Sequence, residues 1–184
     1  MGHKFAEIAF TPSVRTVQEA HGGRSHYERI AGGEDYNDVL GEEEAAFIGA
    51  RDSFYMATVG ETGWPYVQHR GGPPGFVRVL DARTFGFADF RGNRQYVSVG
   101  NLKVDDRAAF FFMDYPNRLR LKVLGRVALI EPGSERLAQL ELPDYRARVE
   151  RGFLVRVEAF DWNCSQHITP RYSEAELREL SATS

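Results

Sequence analysis

The sequence holds a single cysteine, Cys164, in 184 residues, so no disulfide can close within it, which excludes a disulfide-stapled scaffold. No apolar run approaches the roughly 18–20 residues that a membrane-crossing helix needs. The opening MGHKFAEIAF lacks the apolar stretch of a secretory signal, and Ala6 stands where a myristoylation pattern needs Ser or Thr. Charge of one sign is also missing: 23 Lys plus Arg against 26 Asp plus Glu leave −3. Such a chain has no whole-molecule basic field to hold nucleic acid or an anionic membrane, so neither is expected as a partner. A cytoplasmic protein is expected. There is no Walker A loop, no G-x-G-x-x-G, no G-x-S-x-G, no H-E-x-x-H and no paired C-x-x-C. Phosphoryl transfer, dinucleotide binding, serine hydrolysis and zinc chemistry therefore have no starting motif. Cys164-x-x-His167 has a ligand-like spacing, but a metal needs two further ligands, and no metal is expected.

What is present reads as one mainly β domain over residues 1–184. Phe54–Val59, Tyr66–Arg70, Phe76–Leu80, Thr84–Phe90, Arg107–Met113, Leu119–Ile130 and Phe153–Phe160 are rich in β-branched and aromatic residues and separated by turn signals. The short links Gly60–Gly63, Asp81–Arg83 and Asp114–Asn117 suit antiparallel neighbours. Residues 1–40 show no sustained period and read as an irregular or partly helical arm. Helix is expected after Gly41, within Asn93–Val104, within Ser134–Glu150, and after the capping box Ser173-Glu174-Ala175-Glu176 in a tail over 161–184. Six or seven antiparallel strands close most economically as a small Greek-key barrel, because closure removes exposed edges, with a sandwich as the alternative. Phe54, Tyr55, Phe85, Phe87, Phe110, Phe111 and Phe112 should lie in the core or a dimer interface, while His3, His21 and His26 should be solvated.

Two stretches stand out chemically. Gln68-His69-Arg70-Gly71-Gly72-Pro73-Pro74-Gly75 ends a strand in donors and runs into glycines that allow a flat ligand to approach the backbone. Asp89-Phe90-Arg91-Gly92-Asn93-Arg94-Gln95-Tyr96 leaves a strand, turns at Gly92 and enters a helix. Free N–H groups at a helix start, with Arg91 and Arg94 beside them, suit a phosphate. Together the two stretches describe a ligand with a planar ring and a phosphate tail.

The same residues carry a family resemblance. Arg51–Tyr55, Gly63–Pro73, Asp89–Gln95 with Gly100-Asn101-Leu102, Met113–Pro116, Leu121–Arg126 and Asp161–Ile168, in this order, resemble the pyridoxamine 5′-phosphate oxidase-like FMN-binding split-barrel family. The resemblance implies a six-stranded antiparallel Greek-key split β-barrel forming a homodimer, with FMN in clefts between the subunits. It places Gln68, His69, Arg70 and Gly71 against the isoalloxazine, and Arg91, Asn93, Arg94 and Gln95 at the phosphate, with Ser53 and Asn101 as further candidates. From the partner chain it implies Trp162, Asn163, Gln166 and His167. Arg70, or Gln68 beside it, is expected to raise the flavin potential by placing a donor at the ring edge where reduction adds negative charge. The family's Ser-x-Lys pair is absent after Arg94, and so is its C-terminal arginine and histidine pattern for pyridoxamine phosphate, so vitamin B6 oxidation is not expected. The resulting expectation is an FMN-dependent oxidoreductase acting on an unidentified small-molecule substrate. The alternatives are a flavin-binding redox or stress protein without turnover, and a split barrel that binds haem or a deazaflavin.

Overall fold

The computed structural model describes residues 3–32, 36–162 and 165–182. Four helices come first: α1 (Lys4–Ala9), α2 (Pro12–Ala20), α3 (Arg24–Ala31) and α4 (Glu42–Gly49). Then follow β1 (Ser53–Val59), β2 (Pro65–Gly71), β3 (Val77–Asp81), β4 (Thr84–Phe90) and α5 (Val97–Leu102). The remainder is β5 (Arg107–Asp114), β6 (Leu119–Ile130), α6 (Glu135–Ala138), β7 (Val149–Trp162) and α7 (Glu174–Ala182).

The strands form one antiparallel sheet in the order β2-β1-β5-β6-β7-β4-β3. It has seven strands where the resemblance implies six, and the short edge strand β3 pairs with β4 through the tight Asp81–Thr84 turn. The expected turns carry their own locks. The Asp81 carboxylate accepts from the Arg83 N–H at 2.8 Å, and the Asp114 carboxylate accepts from the Asn117 N–H at 3.0 Å.

Alternation decides which face is inward. On β5 the buried positions are Ala108, Phe110, Phe112 and Asp114, and on β1 they are Phe54, Met56 and Thr58. Three strands separate β1 from β4 in the sheet, yet the Phe54 ring lies 5.0 Å from the Phe87 ring, edge to face. Such a contact requires the sheet to curl on itself, which makes a split β-barrel with its ends, β2 and β3, left unpaired to one another. The aromatic filling continues through Phe85 on Phe110 at 5.2 Å and Phe87 on Phe153 at 4.9 Å. Each fully buried phenylalanine contributes about 1.5–3 kcal/mol relative to exposure.

β4 is buried on both faces, because Leu137 and Leu140 fold over its outer side with Ala88 and Ile130. Gly86 is required there: a Cβ would stand 2.9 Å from the Phe153 carbonyl oxygen and 3.0 Å from Leu140. Between Ser134 and Glu150 the expected helix is α6, which ends well before Pro143 and carries Leu137 to cap β4 together with Leu140.

The N-terminal arm is more ordered than its sequence period indicates. Three short helices fill it, and α1 docks on the outer face of the sheet. Lys122 Nζ sits 4.5 Å from the Phe5 ring centre and 2.7 Å from Asp161. His3, expected to be solvated, is buried: its Nδ1 accepts from the Ala6 N–H, and its Nε2 lies 3.9 Å from Asp161. No helix of the described residues is long and apolar enough to cross a membrane.

Candidate functional site

The period of two along β2 sorts the first ligand-binding stretch onto two faces. Gln68 and Arg70 point into the barrel end, whereas Val67 and His69 point outward, His69 against Tyr55 at 5.7 Å. Gln68 accepts from the Ser98 hydroxyl at 2.9 Å, which ties β2 to α5. Arg70 crosses to β4, where it forms a short ion pair with Asp89, and its guanidinium lies 4.9 Å over the Phe153 ring. Its Nε is buried without a hydrogen-bond partner.

Asp89 stands opposite Arg151 in the β4–β7 register, and Arg151 Nε is 3.4 Å from the second Asp89 oxygen. Burial raises the Asp89 carboxyl above the usual carboxylate range, outweighing the pull of Arg70 and Arg151. Glu150 gathers the rest: it accepts from the Tyr96 hydroxyl at 3.2 Å and lies 3.6 Å from Arg91 and 3.4 Å from Arg151. Arg151 stacks 4.9 Å over the Tyr96 ring.

The turn after β4 differs from its expected form. The helix begins at Val97 rather than near Gly92, and it is only six residues long. Arg94 and Tyr96 both hold left-handed backbone, at φ 60° and 54°, which stops the helix from starting earlier. The Asn93 side chain accepts from the Gln95 N–H at 3.2 Å and shapes the turn. Any anion held here is therefore met by side chains, not by a helix start. Two non-glycine residues in strained backbone within three positions are the kind of feature that concentrates at ligand sites.

These elements enclose a pocket of about 270 Å³ whose walls include Gln68, Arg70, Asn93, Arg94, Tyr96 and Ser98. Arg70 is paired with Asp89 and Arg91 with Glu150; among the described residues Arg94 has no carboxylate partner. The wall carries Arg70 and Arg94 against Asp89 and Glu150 and is charge-balanced, with Arg91 and Arg151 behind it on the same carboxylates.

Other expected residues lie elsewhere in the chain. Arg91 and Gln95 sit on the same exposed turn without lining the pocket. The Ser53 hydroxyl donates to Asp52 at 2.8 Å, and Asn101 donates to the Thr58 hydroxyl at 3.0 Å. Gly71 lies against the His69 ring on the outer face. Trp162 donates from its indole to Glu44 at 2.8 Å and packs edge-on to Phe47 at 4.7 Å. Gln166 and His167 are exposed, and Asn163 lies outside the described residues. No group of three His, Cys, Asp or Glu among the described residues could hold a metal ion.

The sequence model of the pyridoxamine 5′-phosphate oxidase family matches residues 40–159, which spans α4 to β7 and contains every wall of this pocket. The chain belongs to that family. No curated protein matches it. Among solved structures, HupZ of Group A Streptococcus shares 16% identity with a TM-score of 0.54, covering 72% of this chain and 100% of HupZ. An FMN-binding protein of Syntrophomonas wolfei shares 12%, with a TM-score of 0.54, over 79% of this chain and 97% of its own. A candidate pyridoxamine 5′-phosphate oxidase of Lactobacillus delbrueckii shares 20%, with a TM-score of 0.52, over 67% and 94%. At these identities the likeness is one of fold.

Sequence reasoning missed Tyr96, Ser98, Glu150 and Arg151. The first two sit inside or just beyond a stretch already singled out, and the alternation of β2 would have pointed at a partner for Gln68. Nothing local marks Glu150 and Arg151; they arrive through the β4–β7 pairing, 62 residues along the chain from Asp89 in the case of Arg151.

Proposed function

We propose that this member of the family is an FMN-dependent oxidoreductase, with the phosphate on the turn after β4 and the ring toward Gln68 and Arg70. The observation that carries this reading is Arg94: a guanidinium without a carboxylate partner among the described residues, in strained backbone, on the wall of a pocket whose other arginine, Arg70, is already paired. The donor set fits FMN. Asn93 and Arg94 on the wall suit a phosphate, with Arg91 and Gln95 proposed to reach it from the same exposed turn, and the amide of Gln68 with the orphaned Nε of Arg70 suits the polar edge of a planar ring. FMN, when bound, supplies the hydride or electron chemistry, and the protein holds and orients it.

A pocket of about 270 Å³ falls below the roughly 300–1,000 Å³ usual for ligand sites, so one chain supplies part of the enclosure. In this reading a homodimer completes it. The outer face of β1 and β2 with the turn between them supports the pairing, because it exposes Val59, Val67 at 61% and, on the turn, Trp64 at 77%. His69, Gly71, Ser53 and Asn101 are proposed as further cofactor contacts of the same chain, and Trp162, Asn163, Gln166 and His167 as contacts from the partner chain. A cytoplasmic setting and a small organic substrate belong to the same proposal.

A second reading, a flavin-binding redox protein without turnover, is favoured by one observation: both carboxylates of the pocket are committed to arginines, leaving no free acid or base. The purified protein should be yellow, with the two visible bands of an oxidised flavin and with FMN released on denaturation. Steady oxidation of NAD(P)H with small acceptors then marks the enzyme, and a coloured but inert protein marks the carrier. A haem spectrum, a deazaflavin spectrum, or a colourless protein that takes up no FMN would refute the proposal.

A further inference from the structure

Binding of FMN needs arginines on the pocket wall; it does not need a carboxylate buried among them. Asp89 is nevertheless there, 6% exposed, at the point where β2, β4 and β7 meet. One of its oxygens takes Arg70 and the other faces Arg151. Each guanidinium is also held by a ring, Arg70 over Phe153 and Arg151 over Tyr96, both at 4.9 Å, so neither is free to swing toward a ligand.

The result is a clamped row of alternating charge, Arg70, Asp89, Arg151 and Glu150, in which the positive charge nearest Gln68 is already offset before any ligand arrives. The expectation that Arg70, or Gln68 beside it, raises the flavin potential presumes, for Arg70, an unbalanced charge. In the folded chain Arg70 is balanced by Asp89, and Arg94 alone on the pocket wall lacks a carboxylate among the described residues.

We infer that Asp89 is a positioning residue that fixes Arg70 beside the ring and offsets its charge, holding the reduction potential of bound flavin below the value an unpaired Arg70 would set. The inference rests on the FMN reading above. Reduction adds electron density, and often negative charge, to the ring, so a net positive neighbour favours the reduced form and an offset neighbour favours it less. Removing the Asp89 charge adds one positive unit to the row; removing the Arg151 charge takes one away. The two changes must move the potential in opposite directions, which a purely structural role for the cluster would not produce.

The test is a spectroelectrochemical titration of FMN bound to the parent protein, to Asp89→Asn and to Arg151→Gln. Asp89→Asn should favour the reduced flavin by about tenfold, a rise of roughly 30 mV for a two-electron couple. Arg151→Gln should lower the potential. If Asp89→Asn does not fold, Arg151→Gln decides alone: a fall supports the inference, and no change or a rise overturns it. Shifts of the same sign in both variants, or no shift with FMN bound, likewise overturn it while leaving the FMN site intact. A parent protein that binds no FMN overturns the proposed function itself, and this inference with it.

Discussion

Arg94 performs two separable roles, and two substitutions at that position pull them apart. Its backbone is left-handed at φ 60°, which costs a non-glycine residue about 1–2 kcal/mol. Arg94→Gly removes that strain but frees the unfolded chain by about 0.5–1 kcal/mol, leaving a net gain between zero and about 1.5 kcal/mol. In a chain of this size each kcal/mol gained raises the melting temperature by roughly 2–4 °C. Arg94→Ala keeps the Cβ and the strain, so its stability should stay within about 0.5 kcal/mol of the parent. Both variants lose the guanidinium from the pocket wall. A hydrogen bond to a charged group contributes about 1.5–3 kcal/mol, so each should bind FMN roughly 10- to 150-fold more weakly. Urea unfolding without ligand gives the first quantity, and quenching of FMN fluorescence on titration gives the second. A glycine variant that is more stable yet blind to FMN is the expected signature of a residue kept strained for its ligand. The parent's affinity in either variant would refute the assignment.

Other outcomes follow from the packing and the charges. Phe54 is buried against Phe76, Phe87 and Phe112, so Phe54→Ala should lose about 3–5 kcal/mol in urea unfolding. At the β6 bulge a Cβ on Gly125 would stand 2.7 Å from Val155 and 2.8 Å from the Arg156 carbonyl oxygen, so Gly125→Ala should cost about 1–3 kcal/mol. Gly49→Ala, in open space at the end of α4, should cost nothing by the same assay. Because burial raises the Asp89 carboxyl in the folded state, its contribution to stability is fully present below the unfolded carboxylate value and is lost as pH rises through the raised one. Asp105 has the opposite sign: hydrogen bonds from Arg107 hold it at about 2, so its contribution is present above the unfolded value and lost as pH falls toward about 2. Carboxyl carbon shifts followed by NMR across pH report both directions, and Asp89→Asn should remove the first dependence only.

Local signals located the strands well, because aromatic and β-branched runs bounded by Gly, Asp and Pro report directly on a half-buried pleated surface. Seven runs were visible and seven strands form. Boundaries failed where backbone conformation is set by context. Nothing in Arg94 or Tyr96 as residue types announces left-handed backbone, so the helix after β4 was read as starting too early. Long-range pairing was the larger gap. Arg70 was legible as a donor but not as half of an ion pair, because Asp89 reaches it only once the sheet curls and brings β2 against β4. His3 is buried where α1 docks beside Asp161, nearly the whole chain away, and period analysis of an isolated arm has no access to that contact.

Calorimetric titration of the parent protein with FMN and, in parallel, with riboflavin, which lacks the phosphate, bears most directly on the site. If Arg94 and its turn grip a phosphate while Gln68 and Arg70 meet the ring, FMN should saturate at one per chain and bind at least about tenfold tighter than riboflavin. Equal affinity for the two would remove the phosphate from the turn after β4. Failure of either to saturate would contradict a flavin in this pocket altogether.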